Sequence, residues 1–231
     1  MTTIITALAV DVYTYIPKNA VKFVPELEKE QEHTLNGFVL PQYFGSLIEH
    51  ETCITLTRSG CWSPKQQFKT KWSNGLPREQ GAGLGMLTRA WKQDGSIRMD
   101  SLLAIKKRFP KELEELSWNN ITDRPDLQMR SMILLWKSGF DQLPNDIDIG
   151  DRIAMADSIY NGGFKYLYRE RAQCKLRKGC DPKMWFNNVE NENARGTKVL
   201  YGNRTAYEIN RNHVIDVFVI RIGKYIKLWG K

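Results

Sequence analysis

The sequence predicts a mainly helical α+β chain: a single helical domain interrupted once by a small irregular or β-hairpin insert. Three observations predict it. Apolar residues recur at helical spacing in several separate stretches. One early segment is instead rich in Ser, Gly, Pro, Lys and Asn. No internal repeat, low-complexity tract or Gly/Ser linker divides the chain. At 231 residues, with 42% apolar and 26% charged residues, the chain can bury one core and has globular composition.

Taken in order, residues 1–35 read as an N-terminal extension packed on the domain of residues 36–231. The extension carries Pro17 and Pro25, then an acidic helical stretch from Glu26 to Glu32. Between Tyr43 and Ile54, the residues Phe44, Leu47, Ile48 and Ile54 suit a helix facing a core. Thr57 to Gly81 is the irregular or hairpin insert. Helical spacing resumes at Leu84–Trp91, Ser101–Phe109 and Asp126–Phe140, the last opened by Pro125 in a tolerated first-turn position. Asp151–Tyr160 is a further amphipathic helix, capped from Asp148 or Gly150. A long final helix covers Tyr207–Leu228, with Ile209, Val214, Val217, Phe218 and Tyr225 turned inward.

The net charge of +8 favours anionic partners. The basic residues are spread along the chain and no nucleic-acid motif appears, so nucleic acid is not the expected partner. Lys69–Arg78 and Arg169–Lys178 are the local basic clusters, and they suit either a solvated face or binding to anionic envelope sugars. Thr2–Val12 is apolar but short, lacks a basic leading segment and is interrupted by Asp11. No run approaches the ~20 apolar residues that span a bilayer. The expectation is a chain that encodes neither its own export nor a membrane anchor. The four cysteines fall as local pairs, Cys53 with Cys61 and Cys174 with Cys180. Neither spacing suits zinc. Buried thiols and two small-loop disulfides both remain open.

Three short stretches can carry chemistry. Glu49-His50-Glu51-Thr52 ends the first core helix. Carboxylates two residues apart on a helix point to different faces, so one should look to the interior or a cleft and the other to solvent. A carboxyl backed by apolar neighbours is harder to ionise, which suits a general acid. Ile54 stands where the second histidine of an H-E-x-x-H zinc site would be, which excludes that reading. Gly81-Ala82-Gly83-Leu84-Gly85-Met86-Leu87-Thr88 allows close backbone approach to a ligand. It fails as a dinucleotide fingerprint, because Met86 occupies the third glycine position, and no Gly-Lys-Ser/Thr makes it a phosphate loop. By itself it reads as a loop-to-helix turn. Ile159-Tyr160-Asn161-Gly162-Gly163 closes an apolar helix, with Gly162 placed to cap it. Tyr160 and Asn161 would offer an aromatic face and an amide to a sugar and its N-acetyl group.

In this order, Glu-Thr, the glycine run and Tyr-Asn-Gly-Gly resemble the Glu-Ser, Gly-Leu-Met-Gln and Ala-Tyr-Asn-x-Gly motifs of the lytic transglycosylase and goose-type lysozyme families. The resemblance spans about residues 44–164, and the basic single domain is similar to phage endolysins acting on Gram-negative hosts. It implies a lysozyme-like fold and cleavage of the β-1,4 bond between N-acetylmuramic acid and N-acetylglucosamine. Glu51 becomes the catalytic acid, Gly83 and Leu84 the cleft-wall turn, and Tyr160 with Asn161 the substrate contacts. Met86 stands where those families usually carry Gln, and Ile159 where Ala is usual. No cofactor and no metal are implied. The expected partner is the peptidoglycan strand, met by a monomer made in a host cytoplasm and acting in the periplasm once the membrane is permeabilised.

Two reactions are compatible with the resemblance. In a transglycosylase the same glutamate acts as acid and then as base, closing a 1,6-anhydro ring. A hydrolytic muramidase needs a water and usually a second carboxylate. Glu79 is the candidate for that second acid, since no Asp or Glu occurs between Thr52 and Arg78; it can equally pair with Arg78 or Arg89 on the surface. The transglycosylase is placed first. A nucleic-acid-binding protein and a non-catalytic virion component are the readings from other classes. Tyr201-Gly202-Asn203-Arg204 and Asn210-Arg211-Asn212-His213 are polar enough to line a cleft or merely to solubilise the last helix, with His213 the member to test first.

Overall fold

In a computed structural model describing residues 11–229, helices pack on one another around the main core and a small antiparallel sheet covers a second, smaller one, a mixed α+β arrangement. The apolar stretch Thr2–Val12 therefore lies almost wholly outside the described residues. Helix α1 spans Lys18–Leu35 and starts well before the acidic stretch. Pro25 lies inside it, at the cost of a helical hydrogen bond. Burial of Ala20, Val24 and Leu27 against the main core offsets that cost. Glu30, almost fully buried, pairs with Arg130 through contacts of 2.6 and 3.0 Å. The N-terminal helix is thus part of the main core.

Helix α2 (Tyr43–Thr52) buries Tyr43, Phe44, Leu47 and Ile48 completely. Ile54 lies past its end and is exposed, contrary to expectation. The insert is larger and more regular than predicted. Strands β1 (Gln67–Lys71), β2 (Pro77–Ala82), β3 (Leu87–Trp91) and β4 (Ile97–Asp100) form one antiparallel sheet in sequence order. The helix expected over Leu84–Trp91 is absent. Gly85 lies within it and Gly83 just before it, which disfavours a helix there. In its place, pairing of β3 with both β2 and β4 satisfies the backbone.

Helix α3 (Ser101–Arg108) is capped by Asp100, whose side chain accepts from the Leu103 N–H at 2.8 Å. Helix α4 (Pro125–Phe140) begins at the expected proline and joins two apolar clusters. Its Met129, Met132, Ile133 and Trp136 enter the main core, while Leu127 and Leu134 enter the core beneath the sheet. Helix α5 (Ile149–Gly162) is capped by Asp148 through the Gly150 N–H at 2.9 Å, one of the two caps expected. Helix α6 (Phe164–Leu176), which the sequence reading did not assign, follows directly. A short hairpin, β5 (Val199–Tyr201) and β6 (Arg204–Thr205), leads into α7 (Ala206–Val214). A capping box between Thr205 and Glu208 starts α7.

The final helix widens into a π-helical segment, Ile215–Arg221, before α8 (Ile222–Tyr225). In a regular α-helix, every fourth residue drifts by about 40°, so His213 and Tyr225 would diverge by about 120°. The wider π turn removes much of that drift. His213, Val217, Arg221 and Tyr225 can thereby line up along α2. Glu49 shows the result. It is fully buried and bound by Arg221, Lys224 and the Tyr225 hydroxyl, each at 2.6 Å.

Both cysteine pairs are disulfides, Cys53–Cys61 and Cys174–Cys180, and no free thiol remains among the described residues. They close loops with sequence separations of 8 and 6. Chain-entropy reasoning puts each at about 2–3 kcal/mol. Replacing Cys53 and Cys61 together by Ala is therefore expected to lower the unfolding free energy by about that amount in a urea melt. An unchanged midpoint would show that the bond constrains nothing. Among the described residues no helix is long and apolar enough to cross a membrane.

Candidate functional site

The end of α2 presents three consecutive polar residues, and all three meet the C-terminal helical arm. Glu49 enters the buried ion network just described. His50 Nδ1 lies 2.5 Å from Asp216, which also accepts from Arg221 at 2.5 Å. Burial works against the Asp216 charge, yet these two partners hold its carboxyl below the usual range. Glu51 Oε1 lies 3.0 Å from His213 Nε2, and the Glu51 side chain stays 18% exposed. Glu49 and Glu51 do point to different faces, as expected. Neither faces open solvent: Glu49 looks to the interior and Glu51 to a partly open position.

Behind His213 the chain of contacts continues inward. Its Nδ1 lies 2.7 Å from Asp157 Oδ2, and the Tyr43 hydroxyl donates to Asp157 Oδ1. His213, Asp157 and Tyr43 are essentially inaccessible to water. Burial alone would keep the imidazole neutral. The charge of Asp157 and the hydrogen bonds to Asp157 and Glu51 overcome it and raise the His213 pKa to about 10. With a carboxylate at each nitrogen, the ring carries both protons and donates both ways. Burial and the Asp157 charge push the Tyr43 hydroxyl well above its ordinary value, so Tyr43 is a donor only. The result is a fixed line: tyrosine, aspartate, histidinium, glutamate.

Tyr160 sits beside this line, its ring centroid 6.4 Å from that of His213. Burial first, then the charges of Glu51 and Asp157, push its hydroxyl well up. That hydroxyl donates to the Gly85 carbonyl at 2.5 Å and so ties α5 to the glycine turn. The turn itself links β2 to β3. Gly83 adopts φ +80°, and a Cβ there would lie 2.7 Å from the Gln128 side chain. Gln128 accepts from the Leu84 N–H at 2.8 Å and fills the space behind the turn. Leu84 is fully buried, while Met86 takes φ +43° and is half-buried. Asn161 is exposed, its Oδ1 accepting from the buried Asn210 at 3.0 Å. Gly163, not Gly162, is the residue with positive φ at the end of α5. Gly162 leaves room instead for Arg195, which a Cβ would meet at 1.8 Å.

Glu51, the turn bearing Gly83, Leu84 and Met86, and Tyr160 with Asn161 are thus brought into one neighbourhood. Glu79 has a different setting. It lies within β2, opposite Thr70 and Ala90, with its carbonyl accepting from the Thr70 hydroxyl. Three residues of strand, about 10 Å, separate it from Ala82 at the end of β2.

Of the C-terminal polar residues, His213 proves central, and Asn210 and Arg211 are buried in a network with Ser158 and the Glu190 carbonyl. Asp157, Tyr43 and Gln128 were not anticipated. Asp157 had a signal: it falls on the buried stripe of α5 with Ile153 and Ala154, where a carboxylate must find partners.

A cavity of about 350 Å³ is lined by Glu190, Arg204, Tyr207, Glu208 and Arg211, among others, and does not include Glu51. Its polar groups are largely committed: Tyr207 and Arg211 bind the Glu190 carbonyl, and Glu208 caps α7. Chemistry therefore favours the Glu51 position over the roomier one. No cluster of His, Cys, Asp and Glu suited to a metal ion occurs among the described residues. The chain matches no model of a known protein family and no curated protein.

Proposed function

We propose that this chain cleaves the glycan strands of bacterial cell wall, as an endolysin of the lytic transglycosylase type with a lysozyme-like fold. The observation that carries this reading is convergence. Glu51, the glycine turn and Tyr160 come from three distant stretches, and the structure joins the last two by the Tyr160–Gly85 hydrogen bond. Their order matches the transglycosylase motifs, and the exposed Asn161 stands next to Tyr160, where an N-acetyl group could bind.

In this mechanism Glu51 must first take up a proton, which the neighbouring His213 cation opposes in the free chain, and it then delivers that proton to the leaving glycosidic oxygen. The carboxylate then left on Glu51 is met by the His213 N–H, already in place at 3.0 Å. Such a pre-oriented cation in a buried setting stabilises the charge without reorganisation. Glu51 next takes the proton from the sugar's C6 hydroxyl, whose oxygen attacks C1 and closes the 1,6-anhydro ring. No second carboxylate takes part in this version. Two disulfides support action in an oxidising compartment such as the periplasm.

Mass analysis of fragments released from purified peptidoglycan tests the reading. Anhydro-muramyl ends are expected. Reducing ends, 18 mass units heavier for the added water, would replace it by the hydrolytic muramidase using Glu51 and Glu79. Release of no fragment by the folded, oxidised chain would sink both.

A further inference from the structure

The structure assigns a second binding site, in the groove between the sheet and residues 118–122 at the margin of the core beneath it, to a carboxylate of the short peptide that branches from the glycan strand. This inference rests on the wall-cleaving reading. A groove of about 280 Å³ lies over β1, β2 and β3 and is walled by Trp118 and Asn119. Strand register explains its chemistry. Lys69 pairs with Gln80, and Gln80 with Arg89, so these three side chains stand in one cross-strand row, which ends at Asp100, whose carboxylate is taken up by the Leu103 N–H and the Trp118 indole. All three line the groove, and no carboxylate does.

Arg89 is the unusual member. Its guanidinium lies 4.9 Å from the ring centroids of both Trp91 and Trp118, which fix its plane. Trp118 is itself anchored, its indole N–H donating to Asp100 at 3.0 Å. Yet Arg89 has no hydrogen-bond or ion-pair partner among the described residues, and its Nε is shielded from water. With Nε covered, the two terminal nitrogens are the donors that a ligand in the groove can meet. The planar guanidinium fork suits a carboxylate in bidentate fashion, with Lys69 adding charge and Gln80 a further amide. The Trp118 face would cover the apolar part of the peptide.

The groove also adjoins the proposed cleavage site. Gly81 and Ala82 line it, and the chain passes from them directly into the turn whose Gly85 binds Tyr160. Three residues, at most about 10 Å of chain, separate Ala82 from Gly85. A strand seated near Glu51 could therefore lay a peptide branch across the sheet. The basic stretch starting at Lys69 thereby acquires a specific role.

The test is titration of the intact, oxidised chain with a disaccharide–tetrapeptide, the same disaccharide without peptide, and inorganic phosphate. Calorimetry and tryptophan fluorescence give the affinities. The peptide-bearing probe is expected to bind about tenfold more tightly than the bare disaccharide. Arg89→Gln should abolish that difference while leaving the bare disaccharide unchanged, and Arg89→Lys should restore part of it. Should Arg89→Gln misfold, Lys69→Gln is expected to reduce the same preference severalfold. An unchanged preference in a folded Arg89→Gln would overturn the site, as would competition by phosphate equal to that of the peptide. Binding that depends on Arg89 in a chain releasing no wall fragments would sink the cleavage reading and leave the site standing.

Discussion

Glu51→Gln is expected to lower fragment release from peptidoglycan by roughly a thousandfold, within the usual contribution of a positioned general acid. The substitution keeps the shape of the side chain and an oxygen able to accept from His213 Nε2, now at 3.0 Å. It removes the proton that the leaving oxygen requires. Stability should change little by comparison, so a loss of lysis in a chain with an unchanged melting curve would locate the chemistry at this carboxyl. A second readout is independent of activity. Glu51 is one of the two acids holding the His213 pKa up near 10. Taking its charge away should lower that pKa, observable by NMR titration of the ring. Glu79→Gln is the companion measurement. The one-carboxylate mechanism predicts activity within a few-fold of the parent, whereas the hydrolytic version predicts a loss close to that of Glu51→Gln. Full lysis by Glu51→Gln would end both.

Much of the helical frame was legible because it is written locally. Pro125 and Asp148 mark helix starts by side-chain and backbone chemistry within two residues, and the apolar stripe of α2 repeats within its own length. The sheet was only half legible. Gly81, Gly83 and Gly85 signalled a turn, but whether Leu87–Trp91 coils or extends is decided by partners at Gln80 and Asp100, not by its own residues. The candidate site shows the same division. Glu51, the glycine turn and Tyr160 each belong to a recognisable short motif. Asp157 and Tyr43 belong to none, since they act across sequence separations of 56 and 114 residues. His213 stood out only as a polar residue on a long helix. The π-helical segment behind it, which brings the C-terminal arm into phase with α2, has no sequence mark that we recognise.

His213→Ala is expected to be the most destabilising single change at the site and to show a characteristic pH dependence. It removes a cation from between two acids and leaves Asp157, fully buried, with only the Tyr43 hydroxyl among its side-chain partners. Breaking a buried pair in this way costs on the order of 3–5 kcal/mol. The pH dependence follows from the raised pKa. Folding lifts the imidazole from an ordinary value of 6.5 to about 10, so the folded state holds a proton that the unfolded chain has released across this range. The histidine's contribution is fully present below about pH 6.5 and is lost progressively as pH rises towards about 10. Urea melts across that range should show the parent losing several kcal/mol that His213→Ala never had, the two curves converging at the alkaline end. Parallel curves would show that the ring is not the buried cation described above. Activity adds the functional half of the argument. His213→Gln retains an N–H donor but no charge, so it should refold better than His213→Ala while still losing rate. If its kcat matched the parent's, the imidazolium would serve the fold alone and Glu51 would need no cation to work.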